Sequence, residues 1–278
     1  MFRCLYCKKK NKDMKIISFF LLLVSVYILI VTYMYLNQRK LMYLPSENNY
    51  LDDEVNFNYK EIFIEVENNI KLKSWLIEKD LATKKTLIFF HGNAGNLSNR
   101  VYKLNKLSEL NINILIIAWR GFSGNPGEPS EYNLYNDAQK AINWLKLKGA
   151  TPKNIILYGE SLGTGVAIEL GQQNIYDSII LESPYTSMTN AAKRFYPWLP
   201  VKFLIKDKFD SESKIKNIKI PVLIMHGERD SIVPFKMGKK LFEKANYPKK
   251  SYFTKNDDHM MTFDEKLLAK IDEFIKDN

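Results

Sequence analysis

The spacing of apolar positions changes after the first forty residues, and each pattern predicts a different kind of element. From Ile16 to Leu36 the chain carries no charged residue. A helix over these 21 residues would be about 30 Å long at about 1.5 Å per residue, which matches the hydrocarbon core of a bilayer. No small-residue cleavage site follows the segment, so we expect a retained signal anchor that crosses the membrane once.

After residue 58 the pattern becomes an alternation of strands and helices. Two β-rich runs, 60–66 and 70–77, flank Asn68-Asn69 and predict an antiparallel hairpin. Short apolar runs then predict buried strands at 86–90, 113–118, 155–158, 178–182 and 221–225. Stretches with helical spacing alternate with them at 97–110, 131–147, 162–172 and 262–275. This alternation predicts an α/β domain with a mostly parallel, doubly wound sheet.

These patterns divide the chain into a basic tail (1–15), the transmembrane anchor (16–36), a connector (37–58) and a globular domain (59–278). Residues 184–217 interrupt the alternation and are predicted to form a small cap over the sheet. The most aromatic stretch outside the anchor, 194–204, lies in this cap. It either seals one edge of the core or forms an apolar acyl pocket or a surface that faces lipid.

The net charge of +10 belongs mainly to the N-terminus. Residues 1–40 hold eight Lys and Arg residues against the single acidic residue Asp13, so the excess does not indicate a nucleic-acid partner. By the positive-inside rule, the N-terminus is expected in the cytoplasm and the globular domain across the membrane. Translation from Met14 would remove most of this charge bias.

The only cysteines, Cys4 and Cys7, both precede the anchor. A zinc site needs about four ligands and the chain has no second pair, so no metal site is predicted. Two free thiols are expected, and cysteines beside a membrane segment are also the usual targets of acylation.

A G-x-S-x-G pattern lies between a predicted strand and a predicted helix, at Gly159-Glu160-Ser161-Leu162-Gly163. In that setting the serine occupies a sharp turn, and the two glycines remove side chains that would collide there. Ser161 then lies at a helix N-terminus, where backbone N–H groups favour developing negative charge. The pattern predicts Ser161 as a nucleophile; a tight turn with a capping serine is the alternative.

A serine nucleophile needs a base and a carboxylate that orients the base. Of the three histidines, only His259 follows Ser161 with a strand-end carboxylate, Asp230, in between, which is the chain order of this fold. Glu228 is the nearest competing acid. Asp257 and Asp258 adjoin His259 and would favour its protonated form, so an alkaline-leaning activity profile is expected.

The oxyanion-binding groups are expected in the segment His91-Gly92-Asn93-Ala94-Gly95-Asn96, which follows the first buried strand. A turn of this kind offers a backbone N–H, here from Asn93, that faces the backbone N–H of Leu162. Otherwise the segment is a Gly/Asn turn that only caps the next helix.

Six segments together resemble the α/β-hydrolase superfamily and, more narrowly, the Bem46-like (ABHD13/ABHD17-like) membrane-associated hydrolases. They are 37–45 (NQRKLMYLP), 91–96 (HGNAGN), 119–124 (WRGFSG) with 129–131 (PSE), 159–163 (GESLG), 182–187 (ESPYTS) and 226–230 (HGERD). Relatives usually carry glycines just before the catalytic histidine, where this chain has Asn256-Asp257-Asp258.

The resemblance implies an α/β-hydrolase fold and a serine hydrolase with Ser161 as nucleophile, Asp230 as acid and His259 as base. It also implies Asn93 and Leu162 as oxyanion donors, and ester or thioester hydrolysis without a metal or organic cofactor. Lipid esters or acylated proteins would suit an enzyme tied to a membrane. A non-catalytic binding module of the same fold, or a serine peptidase, is the alternative.

Overall fold

The seven predicted strands and one further strand form an eight-stranded sheet in the computed structural model. The structure describes residues 2–46 and 54–278, with side chains from residue 12 onward. The strands of the sheet are β2 (Lys60–Glu67), β3 (Ile70–Ile77), β4 (Thr86–Phe90), β6 (Asn113–Ile117), β7 (Ile155–Glu160), β8 (Ser178–Glu182), β9 (Val222–Gly227) and β10 (Lys249–Thr254). A separate two-stranded sheet pairs β1 (Leu44–Pro45) with β5 (Ala94–Gly95). The side chains of Cys4 and Cys7 lie outside the described part of the chain.

The order across the large sheet is β10-β9-β8-β7-β4-β6-β3-β2. Only the β2–β3 and β3–β6 pairs are antiparallel, so the predicted hairpin forms one edge of a doubly wound, mostly parallel sheet. The prediction of the α/β-hydrolase fold is confirmed. The fold matters for function because parallel strands deliver all their carboxyl ends to one edge, where sites form in open α/β sheets.

The helices are α1 (Phe2–Met42), α2 (Val101–Leu107), α3 (Glu131–Leu147), α4 (Leu162–Gly171), α5 (Met188–Phe195), α6 (Val201–Leu204), α7 (Ser211–Lys214), α8 (Phe235–Lys244) and α9 (Glu265–Asp277). Strand β4 shows why they cover both faces of the sheet, since its side chains point to opposite faces in turn. Leu87 and Phe89 belong to one core cluster with α2 and α9, whereas Ile88 and Phe90 belong to the other with α3 and α4.

Two elements of the sheet domain, β10 and α8, were not predicted from the sequence. Strand β10 (KKSYFT) lies at the sheet edge and is only partly buried, so it lacks the apolar run that marks the inner strands. Helix α8 carries Gly238 in its middle, a residue that weakens the helical signal.

Helix α1 is longer than the predicted anchor. It runs to Met42, so the first six residues of the predicted connector are helical. The described part from Lys12 to Met42 is long and apolar enough to cross a membrane. Because α1 continues past Leu36 without a break, its last turns extend to the globular domain.

The cap region contains α5, α6 and α7 between β8 and β9. Helix α5 begins at an N-cap, Ser187, whose side chain accepts a hydrogen bond from the N–H of Asn190. The cap lies at the carboxyl edge of the sheet and contacts the last turns of α1.

Candidate active site

Strand β7 ends at Glu160 and α4 begins at Leu162, so Ser161 alone makes the turn between them. Its backbone has φ 49° and ψ −113°, a conformation that L residues rarely adopt. Such geometry costs of order 1–3 kcal/mol and is found mainly at functional sites. The Ser161 N–H donates to the carbonyl of Glu182 (2.9 Å), which holds the turn in place.

Both predicted glycines of the turn are required sterically. A Cβ at Gly159 would lie 2.6 Å from the carbonyl oxygen of Gly163, and a Cβ at Gly163 would overlap the carbonyl oxygen of Phe90 at the end of β4. These partners are backbone atoms, which cannot move away as the end of a flexible side chain can.

We expect Gly163→Ala to destabilise the protein by about 1–3 kcal/mol, because the added methyl group pushes α4 away from β4. Displacement of Ser161 by about 1 Å should slow its reaction with a fluorophosphonate about 100-fold. Thermal unfolding and the labelling rate test this, with Gln172→Ala at the far end of α4 as the control. Unchanged stability together with wild-type labelling would contradict it.

The structure brings Ser161, His259 and Asp230 together. The Nε2 atom of His259 lies 3.0 Å from the hydroxyl oxygen of Ser161, and its Nδ1 atom lies 2.8 Å from Oδ2 of Asp230. With the proton on Nδ1, the ring donates to Asp230 and can accept the proton of Ser161 at Nε2. The arrangement is that of a nucleophile, a base and the carboxylate that orients the base.

The carboxylate of Asp230 is buried and fully engaged. Its Oδ1 accepts the N–H groups of Ile232 (2.9 Å) and Val233 (2.7 Å). Burial alone would raise the pKa of Asp230, but hydrogen bonds from His226 and His259 outweigh it and hold that pKa well below its usual range. The competing acid Glu228 is exposed.

His226 is a residue of the site to which the sequence reasoning gave no role. It is buried at the end of β9, and its Nε2 lies 3.0 Å from both Oδ2 of Asp230 and the carbonyl oxygen of Val233. A Cβ at Gly238 would overlap the ring, so α8 packs directly behind it. The only sequence signal for this contact is that His226 and Asp230 lie four residues apart. That spacing indicates a contact only when it is known that the chain turns back after β9.

The two acidic neighbours of His259 bond elsewhere. Asp258 accepts the N–H of Ser231 (2.8 Å) and of His259 itself (2.7 Å), and Asp257 accepts the hydroxyl of Thr254 (2.6 Å). In the described part of the chain, Asp230 is therefore the only carboxylate hydrogen-bonded to the imidazole. The alkaline-leaning activity profile stays a prediction.

Asn93 and Leu162 line the same cavity as Ser161. Neither backbone N–H has a protein acceptor among the described residues, as expected of groups that face a ligand. Residues of the connector hold the segment around Asn93 in place. The Leu44 N–H donates to the Asn93 carbonyl (2.8 Å), and the Asn93 side chain donates to the Met42 carbonyl (2.7 Å).

His91 holds the other side of that segment. Its Nδ1 lies 2.7 Å from the carbonyl oxygen of Gly92, and its Nε2 accepts the N–H of Trp119 (3.2 Å). Burial and the nearby charge of Arg100 lower the pKa of His91 to about 3, so the ring is neutral. Its position therefore indicates a structural role beside the predicted oxyanion segment.

A buried group of charges lies beneath the serine turn, and sequence reasoning missed it. Lys103 donates to Glu160 and to Glu182, each at 2.6 Å, and Arg100 donates to Glu160 at 2.7 Å. Glu160 also accepts the N–H of Gly92 (3.1 Å). Glu160, the residue before Ser161, is thereby bonded to Gly92, the residue before Asn93, so the charges fix the serine turn relative to the predicted oxyanion segment.

An apolar cavity of about 410 Å³ opens above Ser161. This volume lies in the range of about 300–1,000 Å³ that is typical of small-molecule sites. Its walls come from α1, the β1 segment, the cap and the loop after β9. The lining includes Met34, Tyr35, Gln38, Leu41, Met42, Leu44, Met188, Ala191, Ala192, Phe195, Tyr196, Leu199, Val201, Leu204, Ile205, Ile232 and Val233.

Comparisons with known proteins agree with this fold. A family model described as alpha/beta hydrolase fold matches residues 85–214. Protein bem46 of Schizosaccharomyces pombe is 30% identical over 226 residues, which cover 76% of this chain and 75% of that protein. Lysophosphatidylserine lipase ABHD12 of Danio rerio is 33% identical over 199 residues, which cover 64% of this chain and 52% of that protein. The Pyrococcus furiosus esterase Pf2001 superposes with a TM-score of 0.65 over 85% of this chain and 98% of that chain, at 22% identity.

Proposed function

The chain belongs to the Bem46-like family of α/β-hydrolases, and from that membership we propose that it is a membrane-anchored serine hydrolase that cleaves carboxylic esters or thioesters. The observation that carries the proposal is the hydrogen-bonded line from Ser161 through His259 to Asp230. Hydrolase activity is also supported by the similarity to proteins named as a lipase and an esterase.

In the proposed reaction the hydroxyl oxygen of Ser161 attacks the carbonyl carbon while Nε2 of His259 takes the proton. The oxygen of the tetrahedral intermediate is placed between the backbone N–H groups of Asn93 and Leu162. Two such donors stabilise the transition state, and one alone is worth about 10²–10³ in kcat. His259 then protonates the leaving alcohol or thiol, and water activated by the same imidazole hydrolyses the acyl-enzyme.

The acyl part of the substrate is proposed to lie in the cavity above Ser161, which is lined mainly by aliphatic and aromatic side chains. Burial of apolar substrate surface there stabilises binding by about 25 cal/mol per Å². This favours a substrate with an apolar acyl group over a peptide, whose backbone groups would need polar partners.

Helix α1 is proposed to cross the membrane once, with the N-terminus in the cytoplasm and the globular domain on the opposite side. The basic residues that precede Ile16 support this orientation.

The proposal is tested by fluorophosphonate labelling of the full-length protein. Wild type should be labelled at Ser161 and should hydrolyse p-nitrophenyl butyrate, whereas Ser161→Ala should do neither. Ser108→Ala, which removes another serine hydroxyl far from the cavity, should behave as wild type. A folded wild type that neither reacts nor hydrolyses the ester would favour the binding module.

A further inference from the structure

Resting on the proposed function, we infer that α1 is part of the substrate site as well as the anchor. Its last turns form one wall of the acyl cavity, and a fatty acyl chain of a lipid in the same bilayer enters between α1 and the cap. The substrate class is thus an acyl ester of a membrane lipid, which reaches Ser161 without leaving its leaflet.

The first observation is the face that α1 presents to the cavity. The lining residues of α1 are Met34, Tyr35, Gln38, Leu41 and Met42, and their spacing of i, i+1, i+4, i+7 and i+8 places them on one side of a helix. Leu36, two residues from Met34, is 68% exposed and is absent from the lining. If α1 served only as an anchor, it would not need to line the space above Ser161 with one of its faces.

The second observation is a polar latch between α1 and the cap, formed by Gln38, Arg39, Tyr43 and Asp207. Arg39 donates to both oxygens of Asp207 (2.9 and 3.1 Å), and the Tyr43 hydroxyl donates to the same carboxylate (3.2 Å). The Gln38 side chain donates to the Leu204 carbonyl (3.2 Å) and accepts the N–H of Lys206 (2.8 Å). Bidentate Arg–carboxylate pairs impose direction as well as attraction, so the latch fixes this wall relative to the cap.

The third observation is how far the cap reaches along α1. The hydroxyl of Tyr27 donates to the carbonyl of Trp198 (3.1 Å), and the two rings meet edge to face. Tyr27 lies about 17 Å along the helix from Ile16, whereas the hydrocarbon core is about 30 Å thick. If α1 enters the hydrocarbon at Ile16, the cap tip (194–204), which includes Trp198, therefore lies inside the leaflet on the side of the globular domain.

The cap tip exposes three large aromatic side chains, and beside them the cations Arg194 and Lys202, whose long side chains can extend toward the lipid head groups. Phe195, Trp198 and Phe203 are 53%, 50% and 84% exposed, which in water would leave a large apolar patch uncovered. Of these three residues Phe195 lines the cavity, together with Met34 of α1 and Ser161. Lipid acyl chains already occupy the leaflet at the cap tip. A membrane lipid therefore suits a cavity between α1 and the cap better than the lipidated segment of a protein does.

The test uses full-length protein in phosphatidylcholine nanodiscs and compares p-nitrophenyl palmitate with p-nitrophenyl butyrate, which share one leaving group. Met34→Trp fills the cavity from α1 and Ala192→Phe fills it from α5. Each should lower the palmitate-to-butyrate ratio of kcat/KM at least tenfold. The control Leu36→Trp adds the same ring on the lipid-facing side of α1 and should leave the ratio within twofold of wild type.

If Met34→Trp and Leu36→Trp gave the same ratio, α1 would not be a wall of the site. Two substrates decide whether the acyl chain comes from a lipid or from a protein. Wild type is tested with monopalmitoylglycerol embedded in the nanodisc and with a soluble S-palmitoylated peptide. Faster turnover of the embedded lipid supports the inference, and cleavage of the peptide alone overturns it. If the wild type neither hydrolysed p-nitrophenyl butyrate nor reacted with the fluorophosphonate, the proposed hydrolase function itself would be overturned. The two failures are therefore distinguishable.

Discussion

Asp230→Asn is expected to lower kcat for a soluble ester about 10⁴-fold, the size of the loss when a triad carboxylate becomes an amide. In the wild type, Oδ2 of Asp230 accepts from the imidazoles of His259 and His226. An amide nitrogen at that position is a donor and would face two ring N–H groups. His259 would then carry its proton on Nε2, and that atom could no longer accept the proton of Ser161.

The measurement is steady-state hydrolysis of p-nitrophenyl butyrate, with thermal unfolding to show that the variant is folded. Since the pKa of Asp230 is held below its usual range, the wild-type carboxylate stays ionised through the mildly acidic range and can orient His259 there. Glu228→Gln, an exposed carboxylate in the same loop, is the matched control and should keep wild-type activity. Equal losses in the two variants would show that Asp230 has no special role.

Lys103→Met is expected to destabilise the protein by about 3–5 kcal/mol, the cost of removing one partner from a buried ionic group. Lys103 is fully buried and lies between Glu160 and Glu182. Burial would lower the pKa of Lys103, but these two carboxylates outweigh it and raise that pKa above its usual value. Methionine removes the cation while both carboxylates remain buried, with only Arg100 to compensate Glu160.

The free energy of unfolding of the full-length protein in detergent micelles measures this effect. Lys106→Met is the matched control, because Lys106 lies one turn further along α2 and pairs at the surface with Glu109 and Glu265. Exposed pairs of this kind are worth about 0–1 kcal/mol. The interpretation fails if both variants lose the same stability.

Much of the fold follows from local pattern. Strands β3, β4 and β8 and helix α3 have the predicted bounds. Strands β4 and β8 are short apolar runs, α3 is a long amphipathic stretch, and β3 follows the turn residues Asn68-Asn69. The serine turn was also visible, since only glycine fits at 159 and 163. Strand β10 was missed because an edge strand is stabilised by its neighbour β9 and needs no apolar run of its own.

The sequence by itself determined the class of fold, the membrane-length helix and the identity of the candidate nucleophile, because these depend on spacing within a few residues. Only the tertiary structure decided which distant groups meet. Ser161 reaches an imidazole 98 residues away, and Arg39 of α1 reaches an aspartate of the cap 168 residues away. The packing of β9 and α8 turns His226 toward Asp230, and the docking of α1 makes a helix of membrane-spanning length one wall of the cavity. No local period encodes such contacts, since they depend on how whole elements are packed.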